Sequence, residues 1–391
     1  MNKTIKSFTL VVAFGLGIAA LQSCDNYEDE YMYGKGLYKI NWESAADSAT
    51  TVLVNHYWST ERHVFTLVND DFEFTQSVDY SYWQEAHAMD VIIDAYLRTG
   101  DTKYSDMFPQ WYEGVKKCNW QDRSGFRGEY YDDTAWIALT IMRMYEATKE
   151  EKYLETAKDL WAYLQGAWDD ENGGLAWTIN KRYSKNACTM GPTTILGVHI
   201  YNVTKDQSDL DWAKKIYEWE YDNLYNPATG AVYDNYNTDT KELSTTTLSY
   251  NQGTFGGAAY ALYKATGEQS YLQTARKAFY YGMTSSDIID TGNNIIRDEG
   301  NNHNNELFKG IYMRYLVQVL DEPNLDSIYR NKFATFLNNN AETAWRNGVK
   351  KNDLQMYFSS DWSQPITGST SNMECQVAGC TLLEARASYE K

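Results

Sequence analysis

Apolar positions recur three and four residues apart along most of this chain, as in Leu154, Ala157, Leu160, Trp161 and Leu164, or in Leu272, Ala275 and Phe279. That spacing lays an apolar stripe along one face of a helix. It predicts helices over 43–59, 84–99, 102–118, 133–148, 151–167, 192–204, 208–224, 252–266, 269–283, 306–320, 324–346 and 373–388. The total is about twelve, or six hairpins. Only five prolines interrupt 391 residues. Long helices require this, because proline removes a backbone donor and clashes with the preceding turn.

Short polar breaks punctuate the pattern with a common spelling. Thr99-Gly100-Asp101, Thr148-Lys149-Glu150, Thr204-Lys205-Asp206 and Thr266-Gly267-Glu268 each close one apolar segment and open the next, and Tyr104, Tyr153 and Tyr271 follow three of them. Breaks every roughly 50 to 60 residues mark stacked helical hairpins. Two all-α architectures suit the count: an open solenoid, or inner and outer helices closed into an (α/α)6 barrel. The alternate connections, 120–131, 168–191, 223–252 and 283–305, are longer and rich in Gly, Trp, Tyr and Asn. If the tight turns share one rim, these loops share the other. Loops gathered on one face of a rigid scaffold are a natural place for a site.

One of those loops ends in Gly128-Glu129-Tyr130-Tyr131-Asp132-Asp133-Thr134-Ala135-Trp136, just ahead of an apolar run from Ile137 to Tyr145. Asp132 and Asp133 are good N-cap candidates there, since Asp satisfies the free amides of a first helical turn. A neighbouring pair can also divide acid and base roles. Like charge raises the pKa of one carboxyl, helix-terminal amides favour the anion of the other, and proton uptake belongs to the pair. Glycoside cleavage needs that division, with one carboxyl protonating the leaving oxygen while the other is ionised.

The first residues read differently. Lys3 and Lys6 precede an apolar run over 8–21. It is shorter than the roughly 20 residues a bilayer core demands, so 1–23 reads as an export signal. Leu21-Gln22-Ser23-Cys24 resembles a bacterial lipobox, which makes Cys24 the expected lipid-bearing residue, and Asp25 to Glu30 open an acidic tether over 24–40. A single domain over 41–391 is expected beyond it, exported and lipid-anchored at the outer membrane, on the cell surface.

Composition narrows the partners. The chain is 43% hydrophobic and 15% aromatic, enough for one sizeable core. A net charge of −18 makes nucleic acid and anionic membrane surfaces poor partners, and a neutral polymer fits better. Cys118, Cys188, Cys375 and Cys380 are too few for a disulfide framework, and read as mostly buried thiols with any pairing open. No histidine cluster with metal-ligand spacing occurs, so neither a metal nor another cofactor is expected. Nothing points to an oligomer, and a monomer is expected.

Tyr131-Asp132-Asp133-Thr134-Ala135-Trp136 resembles the paired-aspartate motif of glycoside hydrolase family 76, the bacterial and fungal endo-α-1,6-mannanases. Tyr82-Trp83-Gln84-Glu85-Ala86-His87, Gly173-Gly174-Leu175-Ala176-Trp177, Lys185-Asn186-Ala187, Val232-Tyr233-Asp234, Tyr250-Asn251-Gln252-Gly253 and Phe308-Lys309-Gly310 are similar to further family blocks, in order, over roughly 40–388. The resemblance implies the (α/α)6 barrel and cleavage of α-1,6-mannan or manno-oligosaccharides with retention through a mannosyl-enzyme. Asp132 would be the nucleophile and Asp133 the general acid/base. Side chains of adjacent residues can reach the ~5 Å carboxyl spacing that retaining enzymes use. Trp83, Tyr131, Trp136 and Trp177 would offer faces to sugar rings, with core packing as the alternative. Gln84, Asn186, Asn251 and Gln252 can bond hydroxyls or brace loops. Asp234 is a hydroxyl acceptor candidate, and Lys309 binds a hydroxyl or serves structure. Cys188-Thr189-Met190 departs from the smaller or more polar residues the resemblance leads one to expect.

Two other classes compete. A surface glycan-binding lipoprotein of helical repeats would use the same aromatics without chemistry. A different (α/α)6 enzyme, an epimerase or lyase, would want histidines or a basic cleft. Only His87, His199 and His303 are available for the first, and the charge of −18 opposes the second.

Overall fold

The structure, a computed structural model, describes residues 38–66, 82–119, 125–300, 304–352, 355–366 and 372–389. The unit Trp42–Lys391 holds thirteen α-helices among the described residues. They are α1 (Trp42–Tyr57), α2 (Tyr82–Thr99), α3 (Thr102–Ser105), α4 (Phe108–Cys118), α5 (Tyr131–Thr148), α6 (Glu151–Gln165), α7 (Ala187–Thr204), α8 (Gln207–Asn223), α9 (Ser249–Thr266), α10 (Gln269–Gly282), α11 (Phe308–Gln318), α12 (Ser327–Arg346) and α13 (Met373–Tyr389). The expected helix over 102–118 is two. Pro109 enters at the start of α4, and its ring, without an N–H, forbids an unbroken helix through Ser105.

Helices α2, α5, α7, α9, α11 and α13 pack in sequence, and α13 returns to α2, closing an inner ring. Outside it, α1 covers α13, α3 and α4 cover α2, α6 covers α5, α8 covers α7, α10 covers α9, and α12 lies over α13 and α11. The chain is thus an (α/α)6 barrel. Inner helices lose the amphipathic stripe because both faces are covered: Ala187 through Val198 and Met373 through Ala385 are buried almost without interruption. Glycine lets the inner ring close. A Cβ on Gly253 would lie 2.7 Å from the Tyr312 Cα, and one on Gly310 2.7 Å from the Ala378 Cα.

The repeated polar breaks are left-handed C-caps. Gly100, Lys149, Lys205 and Gly267 take φ of 70°, 61°, 56° and 77°, and their N–H groups donate to the carbonyls of Tyr96, Tyr145, Tyr201 and Tyr263. The threonine before each return accepts the backbone N–H of Asp101, Glu150, Asp206 or Glu268. These turns gather at the C-terminal ends of inner helices. Every inner helix therefore begins at the opposite end, where the long loops return.

Those loops carry short antiparallel strands: β1 (Trp58–Ser59) with β2 (Val64–Phe65), then β3 (Ser184–Asn186), β4 (Asn235–Asn237) and β5 (Glu242–Ser244) in one sheet of that order, β6 (Ile289–Asp290) with β7 (Ile295–Ile296), and β8 (Val349–Asn352) with β9 (Gln355–Phe358). In the three-stranded sheet Asn186 pairs with Asn235, which brings Asp234 to the start of α7.

Candidate active site

Where the inner helices begin, their first turns surround a cleft of about 390 Å³. Tyr82, Trp83 and Gln84 come from α2, Asp132, Asp133 and Trp136 from α5 with Tyr130 at its cap, Trp177 from the 166–186 loop, and Tyr250 from α9. Asn304 and Phe308 stand at the start of α11. Helix N-termini present free amides and partial positive charge, so this rim favours anions without the help of a cation.

The N-cap of α5 is Tyr130, whose side chain makes no capping bond, so Asp132 and Asp133 lie inside the first turn as its second and third residues. The capping alternative is thereby displaced, and both carboxyls reach the cleft. Asp132 is oriented through one oxygen: its Oδ2 accepts from the Trp177 indole at 3.1 Å and from the Cys188 thiol at 3.3 Å. Oδ1 is shielded and has no partner among the described residues. Burial raises the pKa of Asp132, and the thiol and indole donors pull against that rise. Asp133 faces phenols. Burial first, and Asp133 next, raise the pKa of Tyr82, whose hydroxyl donates to the Phe126 carbonyl at 2.6 Å.

Local backbone pairing explains why Trp177 arrives there. Tyr130 bridges Thr178, the Tyr131 N–H donates to the Trp177 carbonyl at 2.9 Å, and Trp177 N–H donates to Ser184. The loop is thus a short ribbon stitched to the entrance of α5.

The other residues singled out from the sequence divide between cleft and frame. Trp83 and Trp136 line the cleft with His87 between them, at ring separations of 5.4 Å and 4.7 Å. His87 is buried, neither ring nitrogen has a partner among the described residues, and burial with Arg314 and Arg143 lowers its pKa. Gln84 donates to Asn304 at 2.9 Å, while its Oε1 is buried without a partner among the described residues. Tyr131 is buried against Tyr163 at 5.4 Å and stays out of the cleft lining. Asn186 accepts from the Ser184 hydroxyl at 2.7 Å. Asn251 donates to Asp234 at 3.2 Å, and burial raises that carboxyl's pKa. Gln252 donates to the Val232 carbonyl at 3.0 Å. Lys309 is buried, donates to the Ser360 carbonyl and sits 4.9 Å from the Trp362 ring, so it braces the 359–362 loop. Cys24 and His303 lie outside the described residues.

Cys188, Cys375 and Cys380 are buried, and no disulfide joins the four cysteines to one another among the described residues. Among the described residues no three His, Cys, Asp or Glu side chains form a group able to hold a metal ion.

The sequence model of glycosyl hydrolase family 76 matches residues 41–391. The chain belongs to that family. Its fold is similar to an α-1,6-mannanase of Salegentibacter sp. HEL1_6, with 32% identity and a TM-score of 0.81 over 89% of this chain and 100% of that one. That structure is of an inactive variant with two consecutive aspartates replaced by asparagine, in complex with α-1,6-mannotriose. A family 76 mannosidase of Bacteroides thetaiotaomicron VPI-5482 shares the fold at 24% identity, with a TM-score of 0.77 over 89% of this chain and 98% of that one. The mannan endo-1,6-alpha-mannosidase DCW1 of Saccharomyces cerevisiae is 24% identical over 294 residues, covering 68% of this chain and 63% of the relative's own length.

Five lining residues of this family 76 cleft receive no role from the sequence: Tyr82, Tyr130, Tyr250 and Phe308, which appear there only inside motifs, and Asn304. Tyr250 and Phe308 stack face to face, 3.8 Å apart. The signal that would have found most of them is positional. Each aromatic stands at or beside the start of an inner helix, as the aspartates do. Asn304 carries no such signal.

Proposed function

We propose that this chain is an endo-acting hydrolase that cleaves α-1,6-mannosidic linkages in mannan backbones with retention of configuration. The observation that carries the reading is a carboxyl pair in the first turn of α5, opening into an aromatic cleft with one member already oriented by two donors. The α-1,6-mannanase and endo-mannosidase relatives support the substrate. The Salegentibacter variant, inactive with two consecutive aspartates replaced, supports the roles of the pair.

In the first step Asp133, protonated, gives its proton to the glycosidic oxygen as the bond from that oxygen to the anomeric carbon breaks. Asp132, ionised, forms the new bond to that carbon. In the second step Asp133 takes a proton from water, the water oxygen attacks the anomeric carbon, and Asp132 leaves as carboxylate. Trp83, Trp136, Trp177 and Tyr130 supply apolar faces on which pyranose rings stack. The chain works as a monomer without a cofactor. It is exported over its first 23 residues and tethered by lipid on Cys24 at the outer-membrane surface.

The test is incubation of the purified protein with unbranched α-1,6-mannan, following polymer size. Endo action predicts a fall in size before mannose accumulates. Binding without any cleavage would replace this reading with that of a glycan-binding lipoprotein, and protection of the protein from surface proteolysis in intact cells would overturn surface display.

A further inference from the structure

We propose that Cys188 is a positioning residue for the nucleophile, its thiol sharing with the Trp177 indole the task of holding Asp132 through a single oxygen. The inference rests on the mannanase reading above. It begins with a helix start. The apolar pattern opens α7 at 192, but the helix begins at Ala187, which sets Cys188 in the first turn of an inner helix packed against α5. There the thiol is 4% exposed and its sulfur lies 3.3 Å from Asp132 Oδ2.

Burial, then Asp132 and Asp234, push the Cys188 thiol well up from its ordinary value. It therefore remains S–H, a donor, where a thiolate would repel the carboxylate. The titratable groups facing the pair among the described residues are all acids. Asp133 and Tyr130 lie on α5 and its cap, Tyr82 on α2 beside Asp133, Tyr250 on α9, and Asp234 on the loop before β4. Neutral donors, not cations, thus hold the Asp132 anion.

The asymmetry of the contact has a chemical consequence. Both donors load Oδ2, and Oδ1 has none among the described residues. The two donors orient the carboxylate for attack on the anomeric carbon and stay within reach of it in the resulting ester. When water attacks and the bond from the anomeric carbon to Asp132 breaks, its electron pair returns to the carboxylate, which the same two donors stabilise. Cys188 acts in both steps without touching the sugar.

The experiment compares wild type with Cys188→Ala and Cys188→Ser on α-1,6-mannan, reading kcat and KM against pH, together with a carboxyl 13C titration of Asp132. The alanine variant should lose about tenfold in kcat with KM little changed, on the order of one hydrogen bond to a charged group. The acidic limb of its rate profile and the Asp132 titration should both move to higher pH. Serine should restore both. An active wild type whose Asp132 titration and kcat ignore Cys188→Ala would overturn the positioning role, as would a serine variant as impaired as alanine. A wild type that leaves mannan uncut would overturn the mannanase reading and the catalytic role with it, while the titration would still report whether the thiol holds the carboxylate.

Discussion

Where the inner helices begin, Asp132, Asp234 and Glu374 stand half-buried or buried without an arginine or lysine bonded to them among the described residues, and both Glu374 oxygens lack any partner there. Where the same helices end, Arg143 holds Asp90 at 2.7 Å and also Asp94, Arg314 holds Asp94 at 3.2 Å, and Arg98 holds Glu384 at 2.7 Å. A second cavity, of about 280 Å³, lies among these arginines. Cavity size therefore does not tell the ends apart; the pairing of Asp132 and Glu374 against that of Asp90, Asp94 and Glu384 does, although the cleft-side loops hold a Lys185–Asp169 pair of their own. Helix N-termini stabilise anions with backbone amides, whereas helix C-termini call for cations. A carboxyl solvated by amides, an indole and a thiol can gain and lose a proton during a reaction. A carboxyl locked between guanidinium groups cannot, and serves the fold.

The sharpest way to break that contrast is at the cleft end. Asp132→Asn and Asp133→Asn should each lower kcat/KM by about a thousandfold or more, since in the proposed mechanism one removes the nucleophile and the other the proton donor. A thermal melt of Asp132→Asn should stay close to wild type, because among the described residues no cation is bonded to that carboxylate. Next in size is the reverse experiment at the far end. Arg143→Met leaves Asp90 and Asp94 short of a partner in a buried network and should cost about 3 kcal/mol of stability in a denaturant titration. The kcat/KM of its folded molecules should stay within about threefold of wild type.

Smaller effects sharpen the picture. Trp177→Phe keeps an aromatic face and deletes the donor to Asp132 Oδ2, so kcat/KM should fall by about tenfold. The acidic limb of its pH profile should move up, because the ionised form of Asp132 loses a stabilising contact. Last comes Glu220, near the end of α8 and so on the cleft side, buried with neither oxygen partnered among the described residues. Burial raises its pKa well above the ordinary value. Its contribution is intact below the unfolded-state pKa and is lost as pH rises through the folded one. Glu220→Gln should thus stabilise by about 1 kcal/mol at pH 8 and by nothing at pH 4, read from paired denaturant titrations.

What was legible in the sequence follows the same division. The tight-turn end announces itself, because its Thr-Gly-Asp and Thr-Lys-Glu spellings are the chemistry of left-handed caps, and the amphipathic outer helices carry a clear stripe. Helix starts at the cleft end were read late. α9 begins at Ser249 and α7 at Ala187, against expected starts of 252 and 192, since first turns such as Ser249-Tyr250-Asn251-Gln252 are polar yet buried and carry no apolar period. Pro192 lies inside α7. The aspartate pair was visible because adjacency is written in sequence. Its partners were not, because the contacts of Asp132 with Trp177 and Cys188 join residues 45 and 56 positions apart. Tyr130 lines the cleft while Tyr131 packs on Tyr163, as the step from an extended cap into a helix turns neighbouring side chains apart.

The central claim is that the pair at the start of α5 cuts mannan through a covalent intermediate. Proton NMR of the first products from unbranched α-1,6-mannan tests it most directly. New reducing ends should appear in the α configuration and only later equilibrate toward β, with neither seen for Asp132→Asn. β ends appearing first would contradict the covalent role of Asp132, even with the substrate correct.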